Sequence, residues 1–212
     1  MLTLDHLTVI APTLAEGVAH VRACLGLDVP FGTRHLYMGT HNHRLQLGGR
    51  VYLEIVARDP DGIDPGRARW FGVDDAARVR AEWDAGRRLR GWVASVQAME
   101  PVLAAHPEIF GANVPLPPEA PEFSFAIPEH GSLPLDGAAP SLIDRRGVEE
   151  PPDAIPDLGA RLRSWSLSHP DPERIGALYK ELAVDQPPRI IAGPEPRYSA
   201  EIETPQGMRT LT

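Results

Sequence analysis

The sequence predicts an α+β protein built from a repeated strand–helix–strand–strand unit. Three observations predict it. Short runs rich in β-formers alternate apolar and polar residues, as half-buried strands do. A stretch with helical spacing follows the first run of each set. Cys24-Leu25-Gly26-Leu27-Asp28 and Glu181-Leu182-Ala183-Val184-Asp185 hold the same place in their respective passes. Repetition of one supersecondary unit is the organising inference.

The first pass opens with a strand over Leu2–Ile10. Pro12 and Thr13 then start a helix, since Pro suits a first turn and Thr caps one. Leu14, Val18, Val21 and Leu25 form its apolar face and Gly26 ends it. Gly39-Thr40 introduces a strand through Leu47, Gly48-Gly49 makes a hairpin turn, and Val51–Ala57 returns. Asp74–Asp84 is a connecting helix. The second pass comprises Gly91–Val96 (strand), Met99–His106 (helix), Phe123–Ile127 and Ser141–Asp144 (strands). The third comprises Leu162–Ser168, a helix from His169-Pro170-Asp171-Pro172 to Ala183, then Arg189–Ala192, Tyr198–Glu203 and Met208–Leu211. The 23 prolines and 19 glycines cluster in Asp59–Gly66, Pro115–Pro121 and Pro151–Pro156, which read as long connections.

Composition narrows the function classes. The 212 residues suffice to bury a substantial core, and 42% hydrophobic with 24% charged residues is ordinary for a soluble chain. A net charge of −8 argues against nucleic acid as the main ligand. No apolar run is long enough for a membrane span and the first residues lack a basic leader, so a cytoplasmic location is expected. Cys24 is alone, which excludes an internal disulfide and a cysteine-based zinc motif. No Gly-rich phosphate loop, G-x-S-x-G elbow or HExxH motif occurs.

Strand parity then selects a candidate face, because successive side chains point to opposite sides. Leu7, Val9, Leu45, Leu47, Leu53 and Ile55 should pack under the first helix. The opposite set is polar: His6, Thr8, Asn42, Arg44, Gln46, Tyr52 and Glu54. Such a face is either the solvated side of a sheet or the lining of a ligand cleft. His6 and Glu54 stand in the middle of neighbouring β-segments and can share a divalent ion. His6 read without metal is a hydrogen-bonded core histidine. Glu54 without metal is a general base with a pKa raised by burial, or a salt-bridge partner of Arg44. His41 and His43 fall on the Leu45 side and suit a structural role, unless a bulge at Gly39-Thr40 reverses them. Trp70 and Phe71 either lid the cleft or pack against the domain. Arg87, Arg88 and Arg90 read as a solvated helix end, and Cys24 as a small buried apolar group.

The motifs LDHLTVIAPTL (Leu4–Leu14), MGTHNHRLQLG (Met38–Gly48) and VYLEIVARDP (Val51–Pro60) carry a family resemblance. PSLIDR (Pro140–Arg145), LSHPDPERI (Leu167–Ile175) and AEIETPQGMRTL (Ala200–Leu211) extend it over most of the chain. The chain resembles the glyoxalase-like domain family of the vicinal-oxygen-chelate superfamily, with glyoxalase I, extradiol dioxygenases and bleomycin-resistance proteins. The resemblance implies βαβββ modules whose curved sheets form a cleft. Residues 1–157 would hold paired modules, at about 1–58 and 90–146, with a linking helix, and 158–212 a third βαβββ-like unit. Active members offer a His from a module's first strand and a Glu from its last. His6 and Glu54 match those positions. The second module offers Gly91 and Trp92 on its first strand and Asp144 on its late strand; the third offers Arg163 or Ser164, with Glu203 nearby.

The implied function is a metal-dependent lyase, isomerase or dioxygenase acting on a small oxygenated metabolite. Its divalent ion (Zn, Fe, Mn or Ni) would be held by His6, Glu54 and Asp144, or would be absent. Catalysis falls to His6 and Glu54; Asn42, Arg44, Tyr52, Thr8, Gln46 and Trp70 would bind substrate. Arg44 favours a carboxylate or enediolate. The alternative is a non-catalytic small-molecule sequestration protein of the bleomycin-resistance type. Modules of this kind pair within one chain or between chains, which leaves a homodimer open.

Overall fold

The computed structural model describes residues 1–147 and 154–212. The connection read at Pro151–Pro156 lies, over 151–153, outside the described residues. The elements run β1 (Thr3–Ile10), α1 (Leu14–Leu25), β2 (Phe31–His35), β3 (Thr40–Gln46), β4 (Tyr52–Arg58), α2 (Ala76–Asp84), β5 (Leu89–Ser95), α3 (Glu100–Ala105) and α4 (Pro107–Phe110). They continue with β6 (Ala112–Leu116), β7 (Phe123–Ile127), β8 (Ser141–Asp144), β9 (Arg161–His169), α5 (Pro172–Glu181), β10 (Arg189–Ala192), β11 (Arg197–Thr204) and β12 (Gly207–Leu211). No helix among them is long and apolar enough to cross a membrane.

Local signals explain the first module. Thr13 caps α1 by accepting from the Glu16 backbone N–H, and Gly26 ends it in the left-handed conformation at φ 69°. Gly48 and Gly49 take φ 98° and 57° between β3 and β4, values that side chains resist. Two strands escape the sequence pattern. β2 (FGTRH) is a half-exposed edge without alternation. β6 contains Pro115, inside a stretch read as a connection; it too is an edge, where a missing N–H costs no ladder bond.

An eight-stranded sheet of order β2-β3-β4-β1-β5-β8-β7-β6 curls into a half-barrel. Its two halves meet where β1 pairs antiparallel with β5. Within each half the first strand pairs parallel with the last, β1 with β4 and β5 with β8. The α+β fold of repeated βαβββ modules is thus present in the sheet that holds the cleft. The C-terminal sheet has order β10-β9-β11-β12. There β9 pairs parallel with β10 rather than with its last strand, so element order repeats while strand order does not.

The convex side carries the main core. Leu7, Val9, Leu45, Leu53 and Ile55 are fully buried there, with Val21 and Leu25 of α1 in the same cluster. Trp92 meets Trp165 and Tyr179 edge-on at ring distances of 5.1 and 5.9 Å, which docks the C-terminal unit. A second apolar cluster fills part of the concave side, with Val56, Val93, Phe125, Ile143, Trp70 and Phe71. The basic run is not a solvated helix end. Arg87 pairs with Glu82 and Asp136, Arg88 stacks over Trp83, and Arg90 is buried in β5. The hairpin-like return after Gly86 draws all three against the domain, where carboxylates and an indole hold them.

Candidate functional site

A cavity of about 500 Å³ opens in the hollow of the eight-stranded sheet. That volume lies within the range of small-molecule sites. β1, β3 and β4 bring His6, Asn42, Arg44, Tyr52 and Glu54 to one side of it, as strand alternation requires. Trp70, Phe71, Phe125 and Ile143 form the other side. Six of the residues singled out in the sequence therefore converge: His6, Asn42, Arg44, Tyr52, Glu54 and Trp70.

Three do not. Asp144 lines a separate cavity of about 1060 Å³, and its carboxylate accepts from the Arg146 backbone N–H. The physical reason is parity: Ile143 faces the site, so its neighbour faces away. Gln46 also lines that second cavity, because it lies at the far end of β3, opposite Tyr52. Thr8 is fully buried beside the site without lining it. Glu203 pairs with Arg163 on the C-terminal sheet. His43 Nδ1 lies 2.6 Å from the Val29 carbonyl and His41 lies 4.0 Å from Asp59, both away from the cavity lining.

The centre of the polar side is a chain of buried charges. His6 Nδ1 hydrogen-bonds Asp5 Oδ1 at 2.7 Å, and Nε2 stands 3.3 Å from Glu54 Oε2. Asn42 Nδ2 donates to Glu54 Oε1 at 2.6 Å, while the Thr33 backbone N–H donates to Asn42 Oδ1 and fixes its amide. Arg145 grips Asp5 with two bonds of 2.8 Å and reaches the Tyr52 hydroxyl at 3.2 Å. The Tyr52 ring stacks on the imidazole at 4.5 Å. Each side chain is thus held by two others.

Charge assignments follow from this packing. Burial would push the His6 pKa down, but hydrogen bonds and negative charge from Asp5 and Glu54 prevail and raise it. Burial would push Glu54 up, yet the His6 bond and charge, with help from Asn42, lower it to about 2. Asp5 is likewise lowered, its burial outweighed by Arg145 and His6. The packing thus favours the protonated form of His6 between two carboxylates, with the Arg145 guanidinium against Asp5. The Glu54 carboxyl is accordingly lowered rather than raised, with the His6 imidazole beside it.

A resident divalent ion requires more donors than this side supplies. No group of three His, Cys, Asp or Glu side chains suited to a metal occurs among the described residues. Val93 stands directly opposite His6 across β1 and β5, and Gly91 two residues before it shares its side. On β8, Ile143 faces the cavity. Gly91, Val93 and Ile143 thus stand where a second His and carboxylate would be needed, and none of them offers a ligand atom from its side chain. The residues present do not fit the metal that the resemblance implies.

Sequence reasoning missed Asp5, Arg145, Phe125 and Ile143. Regular alternation would put Asp5 on the face of Leu7, opposite His6. In the structure Leu4 and His6 pair with consecutive residues, Ala94 and Val93, so Asp5 is the extra residue of a β-bulge. Nothing in LDHLTV signals that bulge. Phe125 carried a signal, the alternation of FSFAI, which puts Phe123, Phe125 and Ile127 on one apolar side; SLID gives none for Ile143, since each of its faces mixes a polar and an apolar residue. Phe71 adopts φ 61° and ψ 14°, an uncommon conformation for a bulky residue. Strain of about 1–3 kcal/mol at such a residue persists only where its surroundings hold it. Here Trp70 and Phe125 hold the ring at 5.9 and 5.6 Å.

A family model and one solved structure agree with this fold. A family model described as a glyoxalase-like domain matches residues 4–183. A hypothetical protein from Staphylococcus aureus aligns over 98% of this chain and 92% of its own, with 11% identity and a TM-score of 0.62. A variant methylmalonyl-CoA epimerase from Streptomyces coelicolor, in complex with 2-nitronate-propionyl-CoA, is 19% identical. It covers 71% of this chain and all (100%) of its own, with a TM-score of 0.39. The methylmalonyl-CoA epimerase from Mycobacterium tuberculosis is 12% identical over 66% of this chain and 86% of its own, also at 0.39. No curated protein matches the chain.

Proposed function

From the premise that this chain belongs to the glyoxalase-like domain family, we propose that it is an enzyme moving a proton on a small oxygenated substrate, by an isomerase- or lyase-type step. One observation carries the reading: a buried imidazole and a carboxylate stand 3.3 Å apart on the wall of a ligand-sized cavity. His6 is the acid. Its Nε2 proton passes to a substrate oxygen, and Asp5 at Nδ1 steadies the ring as its charge changes. Glu54 is the base. It is weakly basic while it faces an imidazolium; once that proton leaves, burial without a counter-charge raises its affinity for a carbon-bound proton. Arg44 and Arg145 favour the oxyanion character that develops.

A second reading is supported by the apolar half of the cavity, which suits capture of a small molecule without turnover. Deuterium uptake separates the two. Incubation with a 2-oxo acid in D₂O, followed by proton NMR, should show exchange at the carbon beside the carbonyl. Exchange should vanish in Glu54→Gln and His6→Ala. Tight binding with no exchange above the uncatalysed rate would leave only the capture reading.

A further inference from the structure

We propose that the substrate is an oxygenated acid carrying an aryl group next to its reacting carbon, with the ring seated on a wall made by Trp70, Phe71, Phe125 and Ile143. The inference rests on the proton-transfer reading above and supplies the other end of the substrate.

The cavity has two unlike halves. Asn42, Glu54, His6 and the guanidinium residues Arg34, Arg44 and Arg145 line one. That half suits the oxygens of a carboxylate and a carbonyl. The other half is mostly apolar: Trp70, Phe71, Phe123, Phe125, Ile143 and Pro117, with Glu122 as its carboxylate. Four of its members are already desolvated: Trp70, Phe71, Phe125 and Ile143 are all buried. They are also fixed to one another. Trp70 and Phe125 lie 5.4 Å apart, Phe71 and Phe125 5.6 Å, and Phe71 is locked in its left-handed backbone. A wall that does not rearrange loses little on binding and selects for shape. Ring edges and faces in such tilted arrangements prefer a further aromatic partner.

The halves meet at β1 and β5, where His6 stands opposite Val93. A substrate that puts its carbonyl oxygen at His6 therefore directs its remaining atoms toward Ile143 and Phe125 on the cavity wall. A three-carbon acid would leave that half empty, and an empty apolar wall contributes nothing to affinity. In the step itself the bond between carbon and hydrogen breaks and its proton joins a Glu54 oxygen. The electron pair shifts onto the carbonyl oxygen, which takes the His6 proton, and an enol results. Reversal returns both protons, so no oxidant or co-reactant is consumed.

Phenylpyruvate and pyruvate are the probes. Calorimetry on the full chain should give phenylpyruvate an affinity at least about tenfold higher, since even one methylene in an apolar pocket is worth about 10–200-fold. Phe125→Ala should remove most of that gap. Ile143→Ala serves as the second variant where Phe125→Ala lowers folding yield. Equal affinities, no binding of either probe, or a gap untouched by both variants would overturn the aryl seat. Exchange in D₂O is read in parallel. Phenylpyruvate that binds preferentially but exchanges no deuterium keeps the seat and sinks the proton transfer. Exchange of pyruvate without preference for phenylpyruvate keeps the proton transfer and sinks the seat.

Discussion

Asp5 and His6 are sequence neighbours on one strand, yet their side chains meet at 2.7 Å on the same side of the sheet. Regular β geometry forbids that, because adjacent residues point to opposite faces. The bulge at Asp5 permits it, and the salt bridge to Arg145, distant in the chain, holds the carboxylate in place. Asp5 is a positioning residue in this account: it acts on the cavity through the imidazole.

Asp5→Asn should therefore change His6 before it changes anything else. The amide keeps the shape but removes a negative charge from Nδ1 and leaves Arg145 without its carboxylate. The His6 pKa should fall, which an NMR titration of the imidazole reads directly. Stability should drop by about 3–5 kcal/mol, the range for breaking one side of a buried pair. An unshifted imidazole titration would remove Asp5 from the site.

Glu54→Gln should keep Asn42 in place and abolish the base. Deuterium exchange should fall by about 10²–10⁴-fold, the usual contribution of one positioned acid or base. The His6 pKa should fall in this variant also, since Glu54 is its second stabilising charge. Wild-type exchange rates would assign the chemistry to another group.

Stability should depend on pH in two directions. The folded His6 pKa is raised above its ordinary 6.5, so its contribution is whole below 6.5 and is lost as pH climbs through the raised value. The folded Glu54 pKa is lowered from 4.5 to about 2, so its contribution is whole above 4.5 and is lost as pH falls toward 2. Asp5, lowered from 3.8, acts in the same sense as Glu54. The urea midpoint should peak between about pH 4.5 and 6.5. His6→Gln should flatten the alkaline limb.

Val93→His should create a metal site that the native donor set does not complete. Val93 is the direct cross-strand partner of His6 and is fully buried on the cavity side. Opposed side chains have Cβ atoms about 4.5–5.5 Å apart, close enough for two imidazoles to share an ion with Glu54. Calorimetry with Ni²⁺ should show at least about tenfold tighter binding than in the native chain, with proton release as His6 gives up its charge. No gain in affinity would show that the two positions do not converge.

Leu53→Ala should cost about 2–5 kcal/mol, since Leu53 is fully buried on the convex side with α1 residues Val21 and Leu25 in the same cluster. An unfolding midpoint within error of the native one would reverse the assignment of the β4 faces.

The sequence by itself determined β1, α1, β3 and β4 of the first module. Alternation in LDHLTV, THNHRLQ and VYLEIVA sorted polar from apolar faces, and Thr13 and Gly26 bounded α1. Those signals are local: each depends on residues within one turn or one strand. His6, Asn42, Arg44, Tyr52 and Glu54 could be grouped on that basis because three paired strands share one period. What lay beyond reach was set by pairing between distant segments. The bulge that turns Asp5 toward His6 exists only in register with Ala94 and Val93, and Arg145 comes from a strand end far along the chain. The change in strand order between the N-terminal modules and the C-terminal sheet is a tertiary choice as well, since the same order of elements serves both. Tertiary packing likewise decided that the imidazole pKa is raised, because only the assembled pair of carboxylates outweighs the cost of burying it.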